Sequence, residues 1–154
     1  MELMISNIPP LHTNTQKGYP APHKPILLLS ILDLIEAGKL RTNKIALTDE
    51  LVETFHHTWN RYVGNNPLFK ANIGQPFWHL RNEQFWKLIP FEGGDDFLES
   101  IKKTNPYSIK KLRTIIRYAE LDPDFFSQIK DHQTRVGLRI HLIETYITPL
   151  FKNR

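Results

Sequence analysis

The chain has 154 residues, 40% apolar and 11% aromatic, which suits one folded domain able to bury a core without staples. It contains no cysteine, so disulfides, thiolate zinc sites and a cysteine nucleophile are excluded, and a reducing cytoplasm is a compatible compartment. Twenty Lys and Arg against 16 Asp and Glu give a formal charge of +4, a modest bias toward a polyanionic partner.

Residues 1–22 are rich in Pro, Asn and Thr without periodicity and read as irregular, with an arm over 1–18 and a single domain over 19–154. The run from Ile26 to Ile35, broken by Ser30 and Asp33, is too short to span a bilayer. Its apolar residues occupy nearly every side, which predicts a central buried helix with Pro25 in the first turn and Gly38 just past the end. "NKIAL" predicts a short strand. Thr48 then caps an amphipathic helix carrying Leu51, Phe55, Trp59 and Tyr62. "VGNNPLFKANIGQP" reads as a long loop.

In "PFWHLRNEQFWKLIP", Phe77 and Trp78 before the polar "RNEQ" and Phe85 and Trp86 after it predict a β-hairpin. Helix, strand, helix, hairpin is a winged-helix-like order, so the expected fold is α+β and mostly helical, with a C-terminal helical part. That part comprises "DFLESIKK", then "IKKLRTIIRYAE" capped by Ser108, then a helix opened by Asp122-Pro123, and a last helix over about residues 133–148.

Catalytic patterns are weak. His56 and His57 are adjacent, so on a helix they point apart and read as solvated. Asp95, Asp96, Glu99 and Lys102, or Asp124 with Lys130, are acid-lysine groups confined to one or two helical turns, unlike a metal nuclease drawing on separate strands. No catalytic residue, metal or cofactor is assigned. Basic residues at helix starts carry more information. His23 and Lys24 stand before the first helix, Lys110 and Lys111 follow Ser108, and Lys70 lies in the long loop. A helix N-terminus suits a phosphate, and cations there oppose the helix dipole unless an anion is near.

"APHKPILLLSILDLIEAGK", "LVETFHHTWNRYV", "QPFWHLRNEQFWKL" and "YAELDPDFFSQIKD…LIETYI", in this order, resemble the sulfur-binding domain of phosphorothioate-dependent type IV (McrA-like, HNH) restriction endonucleases. The resemblance implies recognition of duplex DNA in which sulfur replaces a non-bridging phosphate oxygen, with cleavage left to a separate HNH nuclease domain or subunit. It implies a shallow apolar sulfur pocket at Ile73, Gln75, Pro76 and His79. It also implies backbone contacts from His23, Lys24, Lys70, Lys110 and Lys111, and base readout by Asn72 and Arg81, or Gln75. Relatives often carry Tyr where this chain has Gln75 and Arg where it has Lys24. Phe77 and Trp78 are expected in the core and Pro76 at the site. His79 fits either the pocket or, by strand alternation, a hydrogen-bonded core position. The alternatives are a winged-helix-like protein-interaction domain presenting its aromatic hairpin, and a divergent metal-dependent nuclease.

Overall fold

A computed structural model describes residues 10–93, 96, 99 and 107–151. Helix α1 spans His23–Glu36, and Ile26, Leu27, Leu28, Leu29, Ile31 and Leu32 on it are all buried. Such an all-round apolar surface has to be covered on every side. The covering elements are α2 (Asp49–Tyr62), α3 (Gly74–His79) and α6 (His132–Leu142). Ser30, a buried polar residue within this apolar run, donates its hydroxyl to the Ile26 carbonyl at 2.7 Å. Gly38, at φ +73°, takes the left-handed position past the helix end. The C-terminal half of α1 is tied to α6 by Arg139–Asp33 at 2.6 Å and by Arg135–Glu36 at 2.9 Å.

The caps expected from the sequence are formed. Thr48 Oγ1 accepts from Leu51 N at 3.1 Å, opening α2. Ser108 opens α4 (Ile109–Ile115), and Asp122 opens α5 (Pro123–Ile129). After α6 the chain continues through a π-helical turn, Ile143–Ile147, and a 3₁₀ turn, Thr148–Phe151. No helix among the described residues is long and apolar enough to cross a membrane.

Three expectations change. The segment before "RNEQ" is not a strand. Residues 74–79 form α3, followed by a 3₁₀ turn, Leu80–Asn82. Ile73, Phe77 and Leu80 recur at helical spacing, and each is at most 1% exposed. Pro76 stands in the first turn, where its missing N–H costs nothing. The aromatic residues that suggested strands report burial: Phe77, Trp78 and Trp86 are core side chains, so no aromatic hairpin surface is presented to a partner. Trp86 Nε1 donates to the Phe77 carbonyl at 3.1 Å and locks α3 to the following strand.

The predicted helix over "IKKLRTIIRYAE" stops at Ile115. Residues Ile116–Leu121 are β5, the central strand of an antiparallel sheet ordered β3 (Lys44–Ile45), β5, β4 (Trp86–Pro90). Pairing runs Trp86 with Leu121, Leu88 with Ala119 and Ile89 with Tyr118, then jumps from Ile89–Tyr118 to Pro90–Ile116. Arg117 is the extra residue of this bulge. It breaks the alternation of buried residues in β5, and that break is what made the segment look helical.

Within the described part of the N-terminal arm, regular structure appears where none was expected. Thr15–Gln16 (β1) and Tyr19–Pro20 (β2) form a small hairpin turned by Lys17 and Gly18, both at positive φ. "DFLESIKK" lies largely outside the described residues.

Gly74 is required by close approach: a Cβ there would stand 2.2 Å from the Tyr107 carbonyl oxygen. Gly74→Ala is expected to cost about 1–3 kcal/mol of stability by urea denaturation. A change below about 0.5 kcal/mol would contradict this packing.

Candidate functional site

α1 packs against α3, and residues of the arm line their junction. Together they form a cleft of about 370 Å³. Its walls include His23 and Lys24 from α1, Gln75, Pro76 and His79 from α3, and His12 from the arm. Trp86 and Gly74 fix α3 from behind, and Ala21 N donates to the Asn14 carbonyl at 2.7 Å where the arm turns back. Ile73 caps α3 but is fully buried beneath the cleft, so it supports the wall without lining it.

His23 and Lys24 lie inside the first turn of α1, buried, rather than in front of it. Lys24 Nζ donates to Glu83 Oε2 at 2.7 Å and to the His12 carbonyl at 2.5 Å. Glu83 also accepts from the His12 backbone N–H at 3.0 Å, and its carboxylate lies 3.2 Å from His12 Nδ1. The anion expected beside a cation at a helix start is therefore present within the chain itself. Burial pushes the Glu83 pKa up, but the hydrogen bonds from Lys24 and His12 outweigh it and hold the carboxyl below its ordinary range. The turn after α3, the helix start and the arm are joined by this one cluster.

His23 Nε2 donates to the Lys70 carbonyl at 2.8 Å, and its ring packs against Trp59 with centroids 4.7 Å apart. The bond fixes the Nε2–H tautomer and leaves Nδ1 as a buried acceptor without a partner among the described residues. Burial pushes the His23 pKa down, only partly offset by the Lys70 carbonyl. His79 Nε2 lies 2.6 Å from the Tyr107 hydroxyl, and burial, then the charges of Arg81 and Lys24, push its pKa down too. His79 thus faces the cleft and is hydrogen-bonded at the same time.

A second depression, of about 440 Å³, adjoins the first and shares His23 and Gln75 with it. Lys70 and Asn72 lie here, Lys70 exposed, and Asn72 Oδ1 accepts from Gly74 N at 3.0 Å to start α3. A third, lined by Asn60, Asn65 and Asn66, continues past Lys70. Arg81 stacks over Trp78, 4.0 Å from the ring centroid. Lys110 and Lys111 stand on the first turn of α4 and do not line these depressions.

Glu83 and His12 join the cleft's polar cluster without having been expected from the sequence. The lysine in the first turn of α1 was itself a signal for the first of these, since it calls for an anion. Among the described residues no three His, Asp or Glu side chains are placed to hold a metal ion.

The whole chain, residues 1–154, matches the family described as ScoMcrA-like, DNA sulfur-binding domain, and the chain belongs to that family. No curated protein matches it.

His23 and His79 have pKa values lowered by folding, so their contribution to stability is full above the ordinary imidazole value and is lost as pH falls through the folded values. The melting temperature is expected to drop between about pH 7.5 and about pH 5.5. His23→Phe, which keeps a ring against Trp59, should drop less over that window. An equal drop would show that His23 is not a source of the acid sensitivity.

Proposed function

We propose that this DNA sulfur-binding domain reads phosphorothioate in duplex DNA at the cleft between α1 and α3, as a recognition module that itself performs no cleavage and serves modification-dependent restriction with a nuclease domain or subunit. The observation that carries the reading is the convergence of Gln75, Pro76 and His79 from one helix with His23 and Lys24 from another around one cleft, in a chain of this family.

The order α1, β3, α2, α3, β4, with β5 reached after α4 and lying between β3 and β4, supports a winged-helix-like arrangement in which a helix interrupts the wing strands. In that arrangement α3 takes the place of a recognition helix, and its first turn presents Gln75 and Pro76.

The sulfur is held against Pro76 and Gln75, with His79 beside them and Ile73 backing the wall. Sulfur is larger and more weakly hydrated than the oxygen it replaces. Burying about 30 Å² of it returns less than about 1 kcal/mol. Most discrimination therefore comes from the penalty on oxygen, which loses water against Pro76 and gains no donor, at about 1–3 kcal/mol. A pocket on one side of the phosphate sees one of the two non-bridging positions, so the preference is stereospecific. Where relatives often have Tyr, Gln75 brings an amide that can also reach a base edge.

Neighbouring phosphates are held by Lys70 in the adjoining depression and by the backbone N–H groups of His23 and Lys24 at the start of α1, whose side chains are otherwise engaged. Lys110 and Lys111 extend the basic surface from α4. Asn72 and Arg81 are assigned to base edges, although Arg81 has to leave its stack on Trp78 to reach them.

Binding is tested with matched duplexes that differ by one sulfur, over a salt series. The sulfur duplex should bind more tightly, and Pro76→Ala should narrow the difference by about 1 kcal/mol. Lys70→Ala should weaken both duplexes alike and reduce the salt slope by about 0.9. Equal affinity of the wild-type chain for the two duplexes would overturn the reading, and magnesium-dependent cutting would revive a nuclease.

A further inference from the structure

We infer that Glu83 is a positioning residue that sets the sulfur selectivity of the cleft by cancelling the charge of Lys24, an inference that rests on the phosphorothioate reading above.

Lys24 lines the cleft, yet its side chain is only 8% exposed and that of Glu83 only 4%. Two of the three ammonium donors are taken, by Glu83 Oε2 and by the His12 carbonyl. Glu83 does not line the cleft and acts on it through Lys24. Among the other charged groups nearby, Arg81 acts on His79 from outside the cleft lining, stacked over Trp78. His23 and His79 are both held toward their neutral forms by burial, and His12 is itself bonded to Glu83. The lysine in the cleft wall is therefore a paired cation, not a free one.

This arrangement is a poor receptor for an ordinary phosphate. An anionic oxygen that gives up water here finds an ammonium already committed to a carboxylate, and the desolvation is not repaid. A sulfur in the same position gives up less hydration and loses less. An uncancelled ammonium would reverse the advantage. It would return a charge-assisted hydrogen bond to oxygen, a stronger acceptor than sulfur, and would draw in any phosphate. The same carboxylate holds the arm against the cleft through the His12 backbone N–H, so charge cancellation and wall placement come from one residue.

The test compares the wild-type chain, Glu83→Gln and Glu83→Asp on duplexes with and without a single sulfur, by fluorescence anisotropy over a salt series. Glu83→Gln should tighten binding of the ordinary duplex and lower the sulfur-to-oxygen affinity ratio about tenfold. It should also steepen the salt slope by about 0.9. Glu83→Asp keeps the charge and should keep most of the ratio and the wild-type slope. If Glu83→Gln does not fold, the double variant Lys24→Gln/Glu83→Gln decides, because it removes the buried charges together. Its cleft is neutral, so it should still prefer the sulfur duplex, without a steeper slope, and loss of that preference overturns the inference. An unchanged ratio in Glu83→Gln overturns it, as does an equal loss in Glu83→Gln and Glu83→Asp, which would mark a purely structural role. A wild-type chain with no preference overturns the phosphorothioate reading itself. A wild-type preference that survives Glu83→Gln removes only the role of Glu83.

Discussion

The site depends on a buried ion pair. Lys24 and Glu83 lie 2.7 Å apart with almost no solvent contact, and breaking such a pair leaves an uncompensated charge at a cost of about 3–5 kcal/mol. The pair joins three parts of the chain: the first turn of α1, the turn that follows α3, and the arm at His12. Without it His12 would lose its anchor beside the cleft. Leu11 N, bonded to the Tyr146 hydroxyl at 2.8 Å, holds only the neighbouring residue.

Around that pair the fold divides support from contact. α1 is a core helix along most of its length and reaches the cleft only through His23 and Lys24. α3 behaves the same way over a shorter span. Phe77, Trp78 and Leu80 bury it, Trp86 and Tyr107 brace it, and Gln75, Pro76 and His79 are left toward the cleft. A recognition surface built on such braced elements loses little freedom on binding, which favours selectivity between two atoms as similar as sulfur and oxygen.

Much of this was legible in the sequence where the signal is local. The all-round apolar run between Pro25 and Gly38 could only be a buried helix, and Thr48, Ser108 and Asp122 mark helix starts through their own side chains. His23, Lys24, Gln75, Pro76 and His79, which line the cleft, were singled out through family motifs and not through periodicity. What failed was non-local. Phe77 and Trp78 suggested strand because aromatic residues favour half-buried sheets, yet here they fill a helix face against α1. β5 suggested helix because the bulge at Arg117 shifts its alternation, and its partners β3 and β4 are far away in sequence. Glu83 was hidden for the same reason. It lies 59 residues from Lys24, inside what looked like a solvated turn.

The central claim is that a sulfur-bearing phosphate seats between the start of α1 and the first turn of α3. Titrating the isotopically labelled chain with a duplex carrying one phosphorothioate of defined stereochemistry, and following backbone amide shifts, tests it most directly. One stereoisomer should perturb Lys24, Gln75, Phe77 and His79 most strongly, while the other isomer and the ordinary duplex leave them nearly unmoved at the same concentration. Largest perturbations on α6 or on the open face of the sheet, or identical responses to both isomers, would contradict the account.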